Sequence, residues 1–155
     1  MTPHHPPRWR IALVREHDGP AFASATFRTS ADVARAFHFL ADHDREEFWL
    51  LALDQRHRIL GTHQVSVGTL SASLVCPREV LKPLILSSAA ACALVHNHPS
   101  TIVDPSPEDH AITRRLVQAC DLLGIRVLDH VIIGGDRHYS FADAGALGST
   151  GAPPC

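Results

Sequence analysis

Residues 96–109 read HNHPSTIVDPSPED, in which two histidines stand one residue apart and a serine and an aspartate follow. Two imidazoles and one carboxylate, with a fourth position left to water, form the donor set of a catalytic rather than a structural zinc. A water held in this way is acidified toward neutrality and needs a carboxylate close by to take its proton. Glu46 and Glu47, just ahead of an apolar run, are the carboxylates on offer. The histidine pair alone is weak evidence, because 12 histidines in 155 residues give about one His-x-His by chance. Its placement adds weight. In an extended chain, residues two apart project to the same side, and His96 and His98 leave the end of an apolar stretch, where loops carry functional groups on a rigid support.

The third ligand would be Asp109, in the first turn of a helix, where the helix dipole favours a carboxylate. The same residues also make a capping box, with Ser106 at the N-cap, Pro107 at N1 and an acid at N3. Capping and metal binding use the same residue types here, and the local sequence leaves both open.

The surrounding pattern predicts the elements that must position this group. A helix is expected from Thr29, with Ser30 as its N-cap and Val33, Ala36, Phe37 and Leu40 on its apolar face. The run FWLLALD, residues 48–54, is apolar on both alternating faces and suits a strand covered on both sides. RILGTHQVSVG reads as its hairpin neighbour across the turn DQRH. A helix is expected over residues 77–90, starting at Pro77, with Pro83 tolerable only near the first turn. ACALVHN is a short buried strand, and the clearest helix runs from Ser106 to a stop at Gly124. IRVLDHVIIGGDRHYSF folds as a hairpin about Gly134, Gly135 and Asp136. Strands mixed with helices predict an α/β or α+β layered domain.

Composition narrows the function classes. A hydrophobic fraction of 45% and a net charge of −2 fit an ordinary globular chain and give no electrostatic push toward nucleic acid or an anionic membrane. Thirteen arginines and the one lysine, Lys82, are spread along the chain with no basic stripe. The four cysteines lack C-x-x-C spacing, and Cys92 and Cys120 lie in apolar runs. With neither a signal core nor 18 consecutive apolar residues, the cytoplasm is the expected compartment and no membrane partner is expected. Residues 1–28 read as an arm and edge segment, 29–145 as the domain, and 146–155 as a flexible tail.

The order His-x-His, seven residues, Ser, two residues, Asp resembles the JAMM motif of MPN-domain metallopeptidases, carried here by His96, His98, Ser106 and Asp109. The blocks GTLSASLVCPREV, HNHPS, PSPEDHAITRRL, LLGIRVLDHVIIG and HYSF, in that order over roughly residues 30–145, are similar to those of the RadC family. The resemblance implies a single MPN/JAB-like domain with a mixed twisted sheet and helices packed on it, in a cytidine-deaminase-like layered architecture. It further implies Zn2+ held by His96, His98 and Asp109, with Glu46 of an E-x-F motif moving the proton. Glu47 is the fallback base, since alternation turns it to the opposite face. Ser106 would steady the oxyanion. The implied activity is zinc-dependent cleavage of a peptide or isopeptide bond in a protein or peptide substrate. The alternative is a DNA-repair-associated accessory protein that keeps the metal without turnover. Against a DNA role stand the charge and the shortness of residues 1–28, which leave no room for the helix-hairpin-helix region of full-length relatives. Two departures stand out: Thr101 replaces the usual glycine, which matters if that position needs a positive φ, and Cys76 replaces a usual histidine. Asp129 and His130, on a strand beside the site, read as a structural hydrogen-bonded pair or as support for a ligand.

Overall fold

The computed structural model describes residues 8–14, 16, 25–68 and 75–148. The arm expected over the first seven residues and the tail from residue 149 lie outside the described residues, as do residues 69–74 of one family-like block. Helix α1 spans Ser30–Ala36 and is followed by a 3-10 turn, His38–Asp42. Then come β1 (Glu47–Leu53), β2 (Ile59–Val67), α2 (Pro77–Leu86), β3 (Ala91–Asn97), α3 (Pro107–Asp121), β4 (Arg126–Gly134) and β5 (Arg137–Ser140). The five strands form one mixed sheet in the order β2-β1-β3-β4-β5, parallel only between β3 and β4. This is the expected α+β single-domain architecture.

The central strands are apolar from Phe48 to Leu53 in β1 and from Ala91 to Val95 in β3 because helices cover both faces. All seven residues of β3 are buried, and on β1 only Trp49 is partly exposed. On one face Phe48, Leu50, Cys92 and Leu94 pack under α2 and α3 through Val80, Leu84, Ile112, Leu116 and Cys120. On the other, Leu51, Leu53, Ala93, Val95, Val131 and Ile133 meet Val33 and Phe37 at the end of α1, and Leu40. Strand β2 is an edge strand and largely exposed, which explains its polar alternation. Among the described residues no helix is long and apolar enough to cross a membrane.

Two local expectations need correction. The N-cap of α1 is Thr29 rather than Ser30: Thr29 Oγ1 accepts from the Asp32 amide, and Asp32 accepts from the Thr29 amide at 3.0 Å. Either residue type can cap, and only the residue that keeps extended backbone does so. Helix α2 ends at Leu86 and carries Pro83 well inside it rather than near its first turn. Burial of Val80 and Leu84 on either side of that proline holds the helix together despite the lost hydrogen bond.

The turn at the end of β4 supports the loop that follows β3. A Cβ at Gly134 would stand 2.7 Å from Val103 Cγ1 and 2.9 Å from the Thr101 carbonyl oxygen. Arg137 Nη2 donates to that same carbonyl at 2.9 Å. Gly134→Ala should therefore destabilise the fold by about 1–3 kcal/mol. A urea unfolding midpoint unchanged from wild type would show that the loop yields instead.

Candidate metal centre

Strand β3 delivers the histidine pair. His96 is in the strand, and His98 continues its direction, its amide donating to the Ile133 carbonyl at 2.8 Å. Both rings therefore leave the sheet on the α3 side. Helix α3 delivers Asp109 at its third residue, where Ser106 caps the helix. Ser106 Oγ accepts from the Asp109 amide at 3.1 Å, and the Ser106 amide donates to Asp109 Oδ2 at 2.7 Å. The two readings of this segment hold together, because the capping carboxylate is also the one facing the histidines. His96 Nε2 lies 3.0 Å from His98 Nε2 and 3.2 Å from Asp109 Oδ1, and His98 Nε2 lies 3.4 Å from Asp109 Oδ2. His96, His98 and Asp109 form a group that could hold a metal ion.

The hydrogen bonds behind the rings decide which nitrogens are bare. Thr113 Oγ1 lies 2.6 Å from the Asp109 carbonyl oxygen, which can only accept, so the one hydroxyl hydrogen goes there. Thr113 Oγ1 must then accept from His130 Nδ1, also at 2.6 Å. Burial drives the proton affinity of His130 well below its usual value, so the ring is neutral and its Nε2 is an acceptor. His96 Nδ1, 2.8 Å away, is the donor. Burial also lowers the proton affinity of His96, more than the facing Asp109 raises it, so its Nε2 presents a bare lone pair. At the other ring, His98 Nδ1 donates to the Ile102 carbonyl at 2.7 Å, which directs the second Nε2 into the same space. Such supporting bonds select the tautomer that can ligate a metal.

Charge is balanced to match. Burial would raise the Asp109 carboxyl, but the facing His96 and His98 and the Ser106 amide outweigh it and hold the group far below the usual carboxylate range. The bond to Asp109 raises the proton affinity of His98 above the usual histidine value, against partial burial. Below that raised value, a proton on His98 Nε2 is held against the Asp109 carboxylate.

The remaining expected residues fall as follows. Phe48 pairs with His96 across β1 and β3, and their rings lie nearly parallel with centroids 6.0 Å apart. Glu46, two residues before Phe48, falls on the same side, and its charge raises the proton affinity of both His96 and His98. Glu47 turns to the opposite face, where it accepts from Trp49 Nε1 at 2.8 Å and Gln64 Nε2 at 2.6 Å and meets His43 Nδ1 at 2.7 Å. Ser106 Oγ spends its hydrogen on Asp109 Oδ2 at 2.8 Å. Thr101 has φ +63°, so the position where a glycine is usual does need a left-handed backbone. Cys76 is exposed and precedes α2 without a side-chain cap.

Sequence reasoning missed Thr113, and of its two readings for Asp129 and His130 the structural one holds for Asp129 and the supporting one for His130. Asp129 staples the backbone through the His130 amide, the Ala142 amide and Ser140 Oγ, while the His130 ring leaves it and supports His96. A threonine on the buried stripe of α3, four residues after Asp109, was the available signal, since such a hydroxyl bonds the carbonyl one turn back.

A family model described as the RadC-like JAB domain matches residues 27–146. A UPF0758 protein of Trichlorobacter lovleyi is 49% identical over 122 residues, covering 78% of this chain and 53% of that protein. One of Geobacter sulfurreducens is 49% identical over 125 residues, covering 80% of this chain and 55% of its own length. A third, from Syntrophotalea carbinolica, is 50% identical over 108 residues, covering 70% and 48%. The chain spans about half the length of the curated relatives it matches.

Two outcomes follow from this geometry. His130→Phe keeps a ring in place but removes the acceptor for His96 Nδ1, and should weaken zinc binding by about 10–100-fold with the fold retained. An unchanged affinity would remove His130 from the site. For pH, the folded state raises the proton affinity of His98, so that bond stabilises the metal-free protein below the usual histidine value and is lost as pH rises through the raised one. Metal must displace this proton, so zinc affinity should tighten from pH about 6 to about 8 with proton release, measured by titration calorimetry in two buffers. A flat profile would contradict it.

Proposed function

The chain belongs to the RadC-like JAB domain family, and from that premise we propose that it is a zinc-dependent hydrolase that cleaves a peptide or isopeptide bond. The observation that carries the proposal is the convergence of the Nε2 atoms of two imidazoles and an ionised carboxylate at 3.0–3.4 Å from one another. Three groups rich in lone pairs repel at that spacing unless a proton or a metal ion lies between them. Ligand atoms around a tetrahedral zinc, bonded at about 2.0–2.1 Å, stand about 3.3 Å apart, which supports zinc as the occupant. When bound, zinc supplies Lewis acidity toward the substrate carbonyl and an acidified water.

The chain supplies the rest. His96, His98 and Asp109 hold the ion, each kept in its ligating state by the hydrogen bonds behind it. Glu46 takes the proton from the attacking water and returns it to the departing amine. The saturation of Glu47 by Trp49, Gln64 and His43 supports assigning this role to Glu46. Ser106 donates to the developing oxyanion, a contribution of about 3 kcal/mol. It does so by turning its hydroxyl from Asp109 Oδ2, while the Ser106 amide keeps that oxygen in place.

The test uses the full chain loaded with zinc, against fluorogenic peptides and a lysine isopeptide. Glu46→Gln should retain zinc and lose about 10²–10⁴-fold in kcat. Equal turnover by wild type and Glu46→Gln, or none by zinc-replete wild type on either bond, would refute the reading.

A further inference from the structure

Resting on that reading, we propose that Asn97 is the positioning residue for Glu46, its side-chain amide bridging the backbone on either side of the glutamate. Asn97 stands between His96 and His98 and is 1% exposed. Alternation sends its side chain to the opposite face of β3 from the two rings. There its Nδ2 donates to the Arg45 carbonyl at 2.9 Å, and its Oδ1 accepts from the Glu47 amide at 2.8 Å. A carbonyl only accepts and an amide N–H only donates, so the orientation of the Asn97 group is determined.

The backbone does not do this work unaided. The paired register of β1 with β3 ends at Phe48 and His96, and residues 44 and 45 form a bend ahead of the strand. Glu46 therefore lies just outside the ladder, at a strand end that would otherwise fray. The Asn97 amide stands in for the missing pairing on one side. On the other, the Gly68 amide donates to the Glu46 carbonyl at 2.8 Å from the end of β2. Residues 45, 46 and 47 are thus each held by one backbone atom, which leaves the Glu46 side chain a fixed origin. Because His96, Asn97 and His98 are consecutive, the ligand pair and the base are referenced to one three-residue stretch. Misplacement of a catalytic group by about 1 Å costs about 100-fold in rate, so this anchoring is of catalytic consequence.

The experiment compares wild type with Asn97→Ala and with Asn97→Asp, which keeps the acceptor and loses the donor, all as the full chain. Zinc affinity, kcat and KM on the fluorogenic peptides, and amide exchange by NMR are measured on each. With Co2+ in place of zinc, the paramagnetic shifts of the Glu46 side chain report its position. Asn97→Ala is expected to bind zinc as wild type does, to keep KM, and to lose about 100-fold in kcat. Glu47 amide protection should fall while Leu50–Leu53 stay protected, and the Glu46 cobalt shifts should collapse toward averaged values. Asn97→Asp should retain protection at Glu47 and fall between the two in kcat. A merely structural asparagine would lower stability without moving kcat or the cobalt shifts at full zinc occupancy, and that result overturns the proposal. A kcat loss that tracks zinc loss overturns it too. If zinc-replete wild type hydrolyses nothing, the hydrolase reading falls while the cobalt shifts and exchange still judge the clamp. If Asn97→Ala does not fold, the aspartate variant and the wild type decide, and rapid exchange of the Glu47 amide in wild type overturns the clamp.

Discussion

The hydroxyl hydrogen of Thr113 has one acceptor, the Asp109 carbonyl, and the chemistry of the site follows from that restriction. It forces His130 to donate from Nδ1, which forces His96 to donate from its own Nδ1, which leaves His96 Nε2 bare. Three elements contribute one residue each to this relay: Thr113 from α3, His130 from β4 and His96 from β3. The parallel pairing of β3 and β4 sets His130 opposite Leu94, two positions before His96 on the same face, and the connecting helix α3 lays Thr113 and Asp109 over them one turn apart. A relay of this kind works only in a dry interior, where no water can offer an alternative partner. His96, Thr113 and His130 are each fully buried.

The same burial would be costly around an uncompensated charge, and the capping arrangement solves this for Asp109. Its Oδ2 takes the Ser106 amide and hydroxyl, and the N-terminal turn of α3 adds a favourable dipole. Helix capping, normally a stability device, here keeps an anion ionised in the interior. Its other oxygen is left facing His96, while His98 approaches the capped one.

Much of this was legible in the sequence because it depends on short-range order. Two-residue alternation put both imidazoles on one side, and the Ser-Pro-x-Asp spacing announced the helix start that carries the carboxylate. The strands of the sheet centre were readable as unbroken apolar runs because helices cover both faces. Contacts that depend on which helix face meets which strand were not. Thr113 and His130 are 17 residues apart, and nothing local says that their side chains meet. Asp129 and His130 looked like one unit because they are neighbours, yet alternation sends them to different tasks. The N-cap of α1 slipped by one because threonine and serine are equally competent caps. The glycine-like demand at Thr101 was visible only as a departure, and its cause is the left-handed turn that brings the Ile102 carbonyl to His98.

The strand end that carries His96, Asn97 and His98 divides its duties by parity. Odd and even positions face different layers of the molecule, so the tripeptide has no slack in its length. Losing or gaining a single residue there would exchange the two sets wholesale, sending an amide toward Asp109 and imidazoles toward the backbone of residues 45 and 47. A change of chain length inside this segment would disturb both faces at once, whereas a substitution disturbs one.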